Sequence, residues 1–158
     1  MEIVKAFLEQ FDIQHEWYNH EPVFTVEEAK KTRANIKGLH CKNLFLRNQK
    51  GNKHFLVIFP ADLPVDMKVL APKIGINRIS FASAQRLDKY LKVKPGAVSI
   101  FGLLHDQEQA VELYLHQDIL QADTVTFHPN DNAATVALSQ EAFRKVLEYQ
   151  GRSYQVLE

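Results

Sequence analysis

The chain is short of several things, and each shortage excludes something. Cys41 is its only cysteine. An internal disulfide and a C-x-x-C metal site are therefore ruled out, and the composition suits a reducing, cytoplasmic setting. No apolar run approaches the ~20 residues of a membrane span. No basic stretch leads into an apolar one at the start, so no secretory leader is expected. The histidines number seven but form no H-E-x-x-H pair, and neither a P-loop nor G-x-G-x-x-G occurs. The expectation is no metal and no cofactor. A G-x-S-x-G elbow is missing too, so Ser99, His128 and Asp106 make only a trio that any chain of this size could hold. Formal net charge is zero, which argues against strong sequence-blind binding of nucleic acid.

What is present is one ordinary globular domain, residues 1–158, with 46% hydrophobic and 24% charged residues. Its charge is unevenly placed. Between Ala29 and Ala61 there is no acid, but there are Lys30, Lys31, Arg33, Lys37, Lys42, Arg47, Lys50 and Lys53. After His105 nine acids face Arg144, Lys145 and Arg152. Such segregation either steers an anionic partner to one face or is a solvated surface.

Ile3, Val4, Phe7, Leu8 and Phe11 have helical spacing. Thr25-Val26-Glu27-Glu28 reads as a capping box, with Phe24 placed to staple onto Ala29. Asn43–Leu46 is a short strand that turns at Gly51 into a second, His54–Phe59. Asp66 and Ser83 cap two helices, and Arg78–Ala82 is a strand between them. Val111–Leu115, Thr124–Phe127 and Ala134–Leu138 are strands, and Ser139 opens a closing helix that ends with Gly151 at C′. Steady βαβ alternation is lacking, so the expected class is α+β with a mixed, curved sheet.

Three places could carry chemistry. Strand alternation puts Lys42 in register with Leu44 and Leu46, and Cys41, Asn43 and Phe45 on the other face. Lys42 either snorkels its ammonium into water or holds it over a pocket, aimed at a substrate oxygen. Cys41 reads as buried and inert. Lys94–Gly102 is a loop of small residues with turns at Pro95-Gly96 and Gly102. It is either a connector or a cradle of exposed N–H groups. His128, held extended by Pro129, is either a turn histidine bonded to a carbonyl or a pocket wall.

Six segments in order resemble the YbaK-like aminoacyl-tRNA deacylases, most of all the stand-alone prolyl-tRNA-editing type. They are Pro22–Ala29, Lys42–Leu46, Asp66–Leu70, Ile79–Ala82, Pro95–Gly102 and Phe127–Asn130. The resemblance implies helices around a curved, barrel-like mixed sheet. It also implies hydrolysis, without metal or cofactor, of the ester joining a wrong amino acid to the tRNA 3′ end. Its catalytic lysine falls on Lys42. Its substrate-binding positions fall on Thr25, Asn43, Gly96, Val98, Ser99, Gly102 and His128. The implied substrate is tRNA for proline mischarged with alanine, and prolyl-tRNA synthetase is a further partner; no membrane is involved. Rival readings are the same chemistry on cysteine, serine or threonine, and a non-catalytic module that binds tRNA or a synthetase. Two positions depart from the family pattern. Ile100 replaces the usual proline after the serine, placing a bulkier side chain near the substrate, and His116 stands where aspartate is common.

Overall fold

The computed structural model describes residues 1–23 and 25–158. In chain order the strands are β1 (Glu16–Asn19), β2 (Leu39–Asn48), β3 (His54–Pro60), β4 (Ile79–Phe81), β5 (Val111–His116), β6 (Thr124–Phe127), β7 (Ala134–Ser139) and β8 (Tyr154–Leu157). The helices are α1 (Glu2–Gln10), α2 (Val26–Arg33), α3 (Met67–Ile74), α4 (Ala84–Leu91), α5 (Gln117–Gln121) and α6 (Gln140–Tyr149), with a 3-10 helix at Ile100–His105. Among the described residues, no helix is long and apolar enough to cross a membrane.

The strands form one mixed sheet in the order β1-β7-β6-β2-β3-β5-β8, with β4 added to β2. The class is the expected mixed one. The barrel-like closure is not reached, because among the described residues β1 and β8 are separate open edges. β2 is the hub. It runs antiparallel to β3 from Cys41↔Pro60 to Arg47↔His54, and parallel to β6 at Leu39↔Val125 and His40↔Thr126. Its far end runs antiparallel to β4, from Leu46↔Phe81 to Asn48↔Ile79.

Alternation along β2 divides the core. Phe45 joins the larger cluster with Phe7 and Leu8 of α1, Leu87 and Leu91 of α4, Phe143 of α6 and Phe101 of the 3-10 helix. Leu46 joins a second cluster on the opposite face with Phe55, Val57, Tyr114 and Leu70 of α3, and Leu44 packs against it. Local capping then sets where helices begin. Thr25 Oγ1 accepts from Glu28 N (3.1 Å), Asp66 Oδ1 from Lys68 N (2.9 Å), and Ser83 and Ser139 cap α4 and α6. Each such cap contributes ~1 kcal/mol. Gly151 sits at C′ of α6 with φ +63°. The expected staple of Phe24 onto Ala29 lies outside the described residues.

Two readings of the Lys94–Gly102 loop need correction. Gly102 makes no second sharp turn; it lies inside the 3-10 helix, buried. A Cβ there would meet Leu91 Cβ at 3.1 Å, so glycine lets this helix lie against α4. Ile100 does not project toward a substrate; it is fully buried in the larger core. It is the first residue of the 3-10 helix, a position where proline forfeits no helical hydrogen bond. His116 also acquires a role, since its Nδ1 accepts from Asp118 N (3.1 Å) and so caps α5. Aspartate at that position would cap in the same way.

A buried ion pair anchors the far end of the 3-10 helix. Arg152 and Asp106 lie 3.3 Å apart, both nearly excluded from solvent. The Arg152 guanidinium also donates to Val111 O (2.8 Å) and Asp106 O (2.7 Å), while Asp106 accepts from Ala110 N and Val111 N. Removing one partner of such a pair costs ~3–5 kcal/mol. Arg152→Met should therefore destabilise the protein by about that much in urea titration. A loss under ~1 kcal/mol would show the pair to be dispensable.

Candidate functional site

A cavity of about 90 Å³ opens where α2 lies over the junction of β2 and β6, between His20, Thr32, Ile36, His40, Thr126 and His128. One water needs roughly 10–15 Å³ on this scale, so the space holds about six to nine atoms of that size.

The strands aim its polar groups. His40 and Thr126 are register partners across the parallel β2–β6 pair, and their side chains meet, Thr126 Oγ1 to His40 Nδ1, at 2.7 Å. His40 Nε2 donates to Ile36 O (2.9 Å) in the turn after α2. A carbonyl can only accept, so Nε2 carries the proton and Nδ1 receives the threonine hydroxyl. Burial lowers the His40 pKa below the ordinary histidine value, and nearby Arg33 pushes the same way. His40 is therefore neutral at pH 7.

His128 follows β6 in the direction its strand sets. Its Nδ1 donates to Ala134 O (2.9 Å). Burial lowers its pKa too, with His20 and His40 adding to the effect. The ring is neutral, its proton is fixed on Nδ1, and Nε2 keeps a lone pair. His20 stands edge-on to it at 6.2 Å and bonds Thr135 Oγ1 through Nε2 (2.8 Å). Cys41 also lines the cavity. Burial pushes its thiol pKa up to about 12, so it stays protonated and inert.

The cavity has a basic lip. Arg33 lines it and lies 3.6 Å from the exposed carboxylate of Asp62. A second, more open hollow shares Arg33 and His40 with it and adds Lys30. The last turn of α2 holds Lys30, Lys31 and Arg33, where the helix dipole favours cations.

The other residues singled out by sequence are more dispersed. Lys42 is half-buried and donates its ammonium to Leu63 O in the loop after β3. It shares its face of β2 with His40, two residues away, but is not in the cavity wall. Asn43 takes the opposite face, and its Oδ1 is buried without a protein partner. Thr25 is used as the α2 cap. Ser99 is fully buried, its Oγ accepting from Phe101 N (3.1 Å), and Val98 packs against the larger core.

Gly96, at φ +90°, makes the turn that brings this loop beside Asn132, which in turn donates to Val23 O (3.3 Å). Asn130 ties the same region to Phe101 O (3.2 Å), and its Oδ1 is likewise buried and unpartnered. The loop and the His128 turn thus adjoin, while Gly102 belongs to packing. His20, His40, Thr126 and Thr135 were not anticipated. Their pairings span 86 and 115 residues, and no local motif marks them. Among the described residues, no three His, Cys, Asp or Glu side chains converge as a metal ion would require.

The family model of the aminoacyl-tRNA editing domain matches residues 20–146. A prolyl-tRNA editing protein, ProX, of Acetoanaerobium sticklandii is 41% identical over 155 residues, covering 98% of this chain and 94% of that one. Prolyl-tRNA synthetase associated domain-containing protein 1 of Bos taurus is 34% identical, covering 89% of this chain and 86% of that one. A solved structure described as a candidate trans-editing enzyme for prolyl tRNA synthetase superposes with a TM-score of 0.74 at 18% identity. It covers 99% of this chain and 94% of that one, a likeness of fold. Matched by the family model over most of its length, and by a relative from end to end, the chain belongs to the aminoacyl-tRNA editing domain family.

Proposed function

We propose that this editing enzyme, a deacylase of mischarged aminoacyl-tRNA, works in trans in the cytoplasm on tRNA for proline carrying alanine. The observation that carries the reading is a cavity sized for a small acyl group, walled by the neutral rings of His40 and His128 beneath the cationic lip of α2. The names of the relatives point to prolyl-tRNA. The small cavity points to alanine, and it suits cysteine or serine almost as well. Deacylation assays on tRNAs charged with alanine, proline, cysteine, serine and threonine separate these readings, and preferential hydrolysis of alanyl-tRNA for proline is expected.

The chemistry asks little of the protein. An aminoacyl ester is already activated, so the enzyme must place a water and stabilise the charge that develops on the carbonyl oxygen. In this reading His128 Nε2, the free acceptor in the wall, receives a proton from the water or holds the substrate ammonium. The vicinal ribose hydroxyl of the terminal nucleotide helps to activate the water. Lys42 has three N–H donors and can keep one on Leu63 O while offering another to the substrate. No step draws on a metal.

Lys42→Ala should fold normally and lose ~10²–10³ in rate, the usual worth of one preorganised donor to an oxyanion. Single-turnover deacylation with a circular dichroism control checks this, and near-normal turnover overturns the role.

His128 makes a pH prediction. Its pKa is lowered, so the lone pair is available at neutral pH and is lost only as pH falls below the ordinary histidine value of ~6.5. After correction for spontaneous hydrolysis, kcat/KM should be flat near pH 7 and fall on the acid side. His128→Ala should flatten that limb and raise the ratio of prolyl- to alanyl-tRNA cleavage. An unchanged acid limb and ratio would place both functions elsewhere.

A further inference from the structure

We propose that Thr126 and Thr135, each made an acceptor by the histidine it bonds, hold the α-ammonium of the aminoacyl group, so that the enzyme cleaves α-amino acyl esters and spares α-hydroxy acyl esters of equal size. The inference rests on the deacylase reading above and deepens it. Alternation along the strands brings the groups together. Thr126 and, two residues on, His128 share one face, and Phe127 takes the other. Phe127 pairs with Val136, so Thr135, one residue earlier, returns to the face of Thr126. Tyr18 pairs with Thr135, and His40 with Thr126, which puts His20 and His40 on that face as well. All five groups line the cavity.

Counting protons fixes what the wall offers. His40 spends its proton on Ile36 O (2.9 Å), so the Thr126 hydroxyl must donate to His40 Nδ1 (2.7 Å). His20 repeats the arrangement. Its Nδ1 bonds Glu21 O (2.9 Å), which can only accept. In the neutral ring Nε2 is then the acceptor, and the Thr135 hydroxyl donates to it (2.8 Å). Both threonines are buried, and each hydroxyl has its single proton committed to a ring nitrogen. What remains on each oxygen is a lone pair. His128 Nε2 adds a third acceptor, since its Nδ1 proton goes to Ala134 O. The Cys41 thiol is turned onto Leu39 O (3.6 Å), and the charge of Arg33 at the lip is answered by Asp62.

A wall of acceptors selects a ligand rich in donors. An ammonium brings three N–H groups and no lone pair, and a free amine still brings two. An α-hydroxyl brings one O–H and no charge, so it leaves buried acceptors unpaired. A site built to bond a substrate N–H rejects the analogue that lacks it far more strongly than a change of one methylene is rejected. Alanyl and lactyl (2-hydroxypropionyl) groups have nearly the same volume, so a cavity of about 90 Å³ cannot separate them by size. The hydroxyls can. Thr126 and Thr135 thus determine specificity by contact, while His20 and His40 are positioning residues that act through them.

The test compares alanyl-tRNA with lactyl-tRNA, each enzymatic rate being divided by the spontaneous rate of the same ester. Wild type should prefer the alanyl ester by at least about a hundredfold. Thr126→Val and Thr135→Val should each lower alanyl cleavage about tenfold, the worth of one hydrogen bond to a charged group, and leave lactyl cleavage within about twofold. Thr126→Ser keeps the hydroxyl and should keep the preference. His40→Leu frees the Thr126 proton and should narrow the alanyl-to-lactyl ratio as Thr126→Val does. Equal normalised rates in wild type overturn the proposal without any variant. So does a ratio unchanged in both folded valine variants, or an equal loss on the two esters. If wild type cleaves seryl- but not alanyl-tRNA, the same comparison is made between seryl and 2,3-dihydroxypropionyl esters. A preference for the seryl ester that the valine variants lose would then uphold the ammonium contact and remove only the alanine reading.

Discussion

Everything in this molecule hangs on the pairing of β2 with three other strands. Ten residues long, it lends its first two to β6, its middle to β3 and its last three to β4. A strand so committed cannot slip, because a shift of one residue would turn Phe45 out of the larger core and Lys42 into it. Register is thus enforced by hydrophobic burial on both faces. The polar residues of β2 inherit their positions from that burial. His40 meets Thr126 because Leu39 meets Val125. Lys42 shares its face with the apolar cluster of Leu46, Leu70 and Val57 because Phe45 must face the other way.

Burial also sets the chemical state of the cavity. A histidine with a carbonyl on one nitrogen is tautomerically fixed, and desolvation then disfavours its charged form. His40 and His128 share both features, with Ile36 O and Ala134 O as the fixing carbonyls. The nearby positive charge on Arg33 reinforces neutrality at His40 rather than opposing it. A cationic lip and neutral histidines in the wall are therefore compatible. The same burial silences the thiol of Cys41, a potential nucleophile in the wall.

What could be read from sequence was local in origin. The caps Thr25, Asp66, Ser83 and Ser139 bond to N–H groups two or three residues on, so their signal is complete within four residues. The alternation of β2 was legible for the same reason. Its true length was not, because Leu39–Cys41 become strand only when β6 and β3 arrive to pair with them. The 3-10 helix reads as loop in the sequence because Gly102 signals a turn, and only contact with Leu91 shows that it is there for close packing. Of the site, His128 and Lys42 could be singled out, since each lies in a recognisable segment. His20, His40, Thr126 and Thr135 could not, because a side-chain pair 86 or 115 residues apart leaves no periodicity behind it.

The size of the cavity answers only part of one energetic problem. An apolar wall separates acyl groups that differ by a methylene by only ~1–3 kcal/mol, and it cannot reject anything smaller than its target. A cavity of this size therefore filters by exclusion and cannot by itself tell one tRNA from another. Affinity for the nucleic acid must come from elsewhere, and phosphate contacts supply it without demanding a sequence. If those contacts sat in the cavity, every well-bound tRNA would already occupy the catalytic pocket, whatever it carried. Kept outside the cavity, such contacts would leave the acyl group alone to decide whether the ester enters. The strand that fixes the register of the core also fixes where His40 stands in the cavity wall. A change that loosened β2 would blur both together.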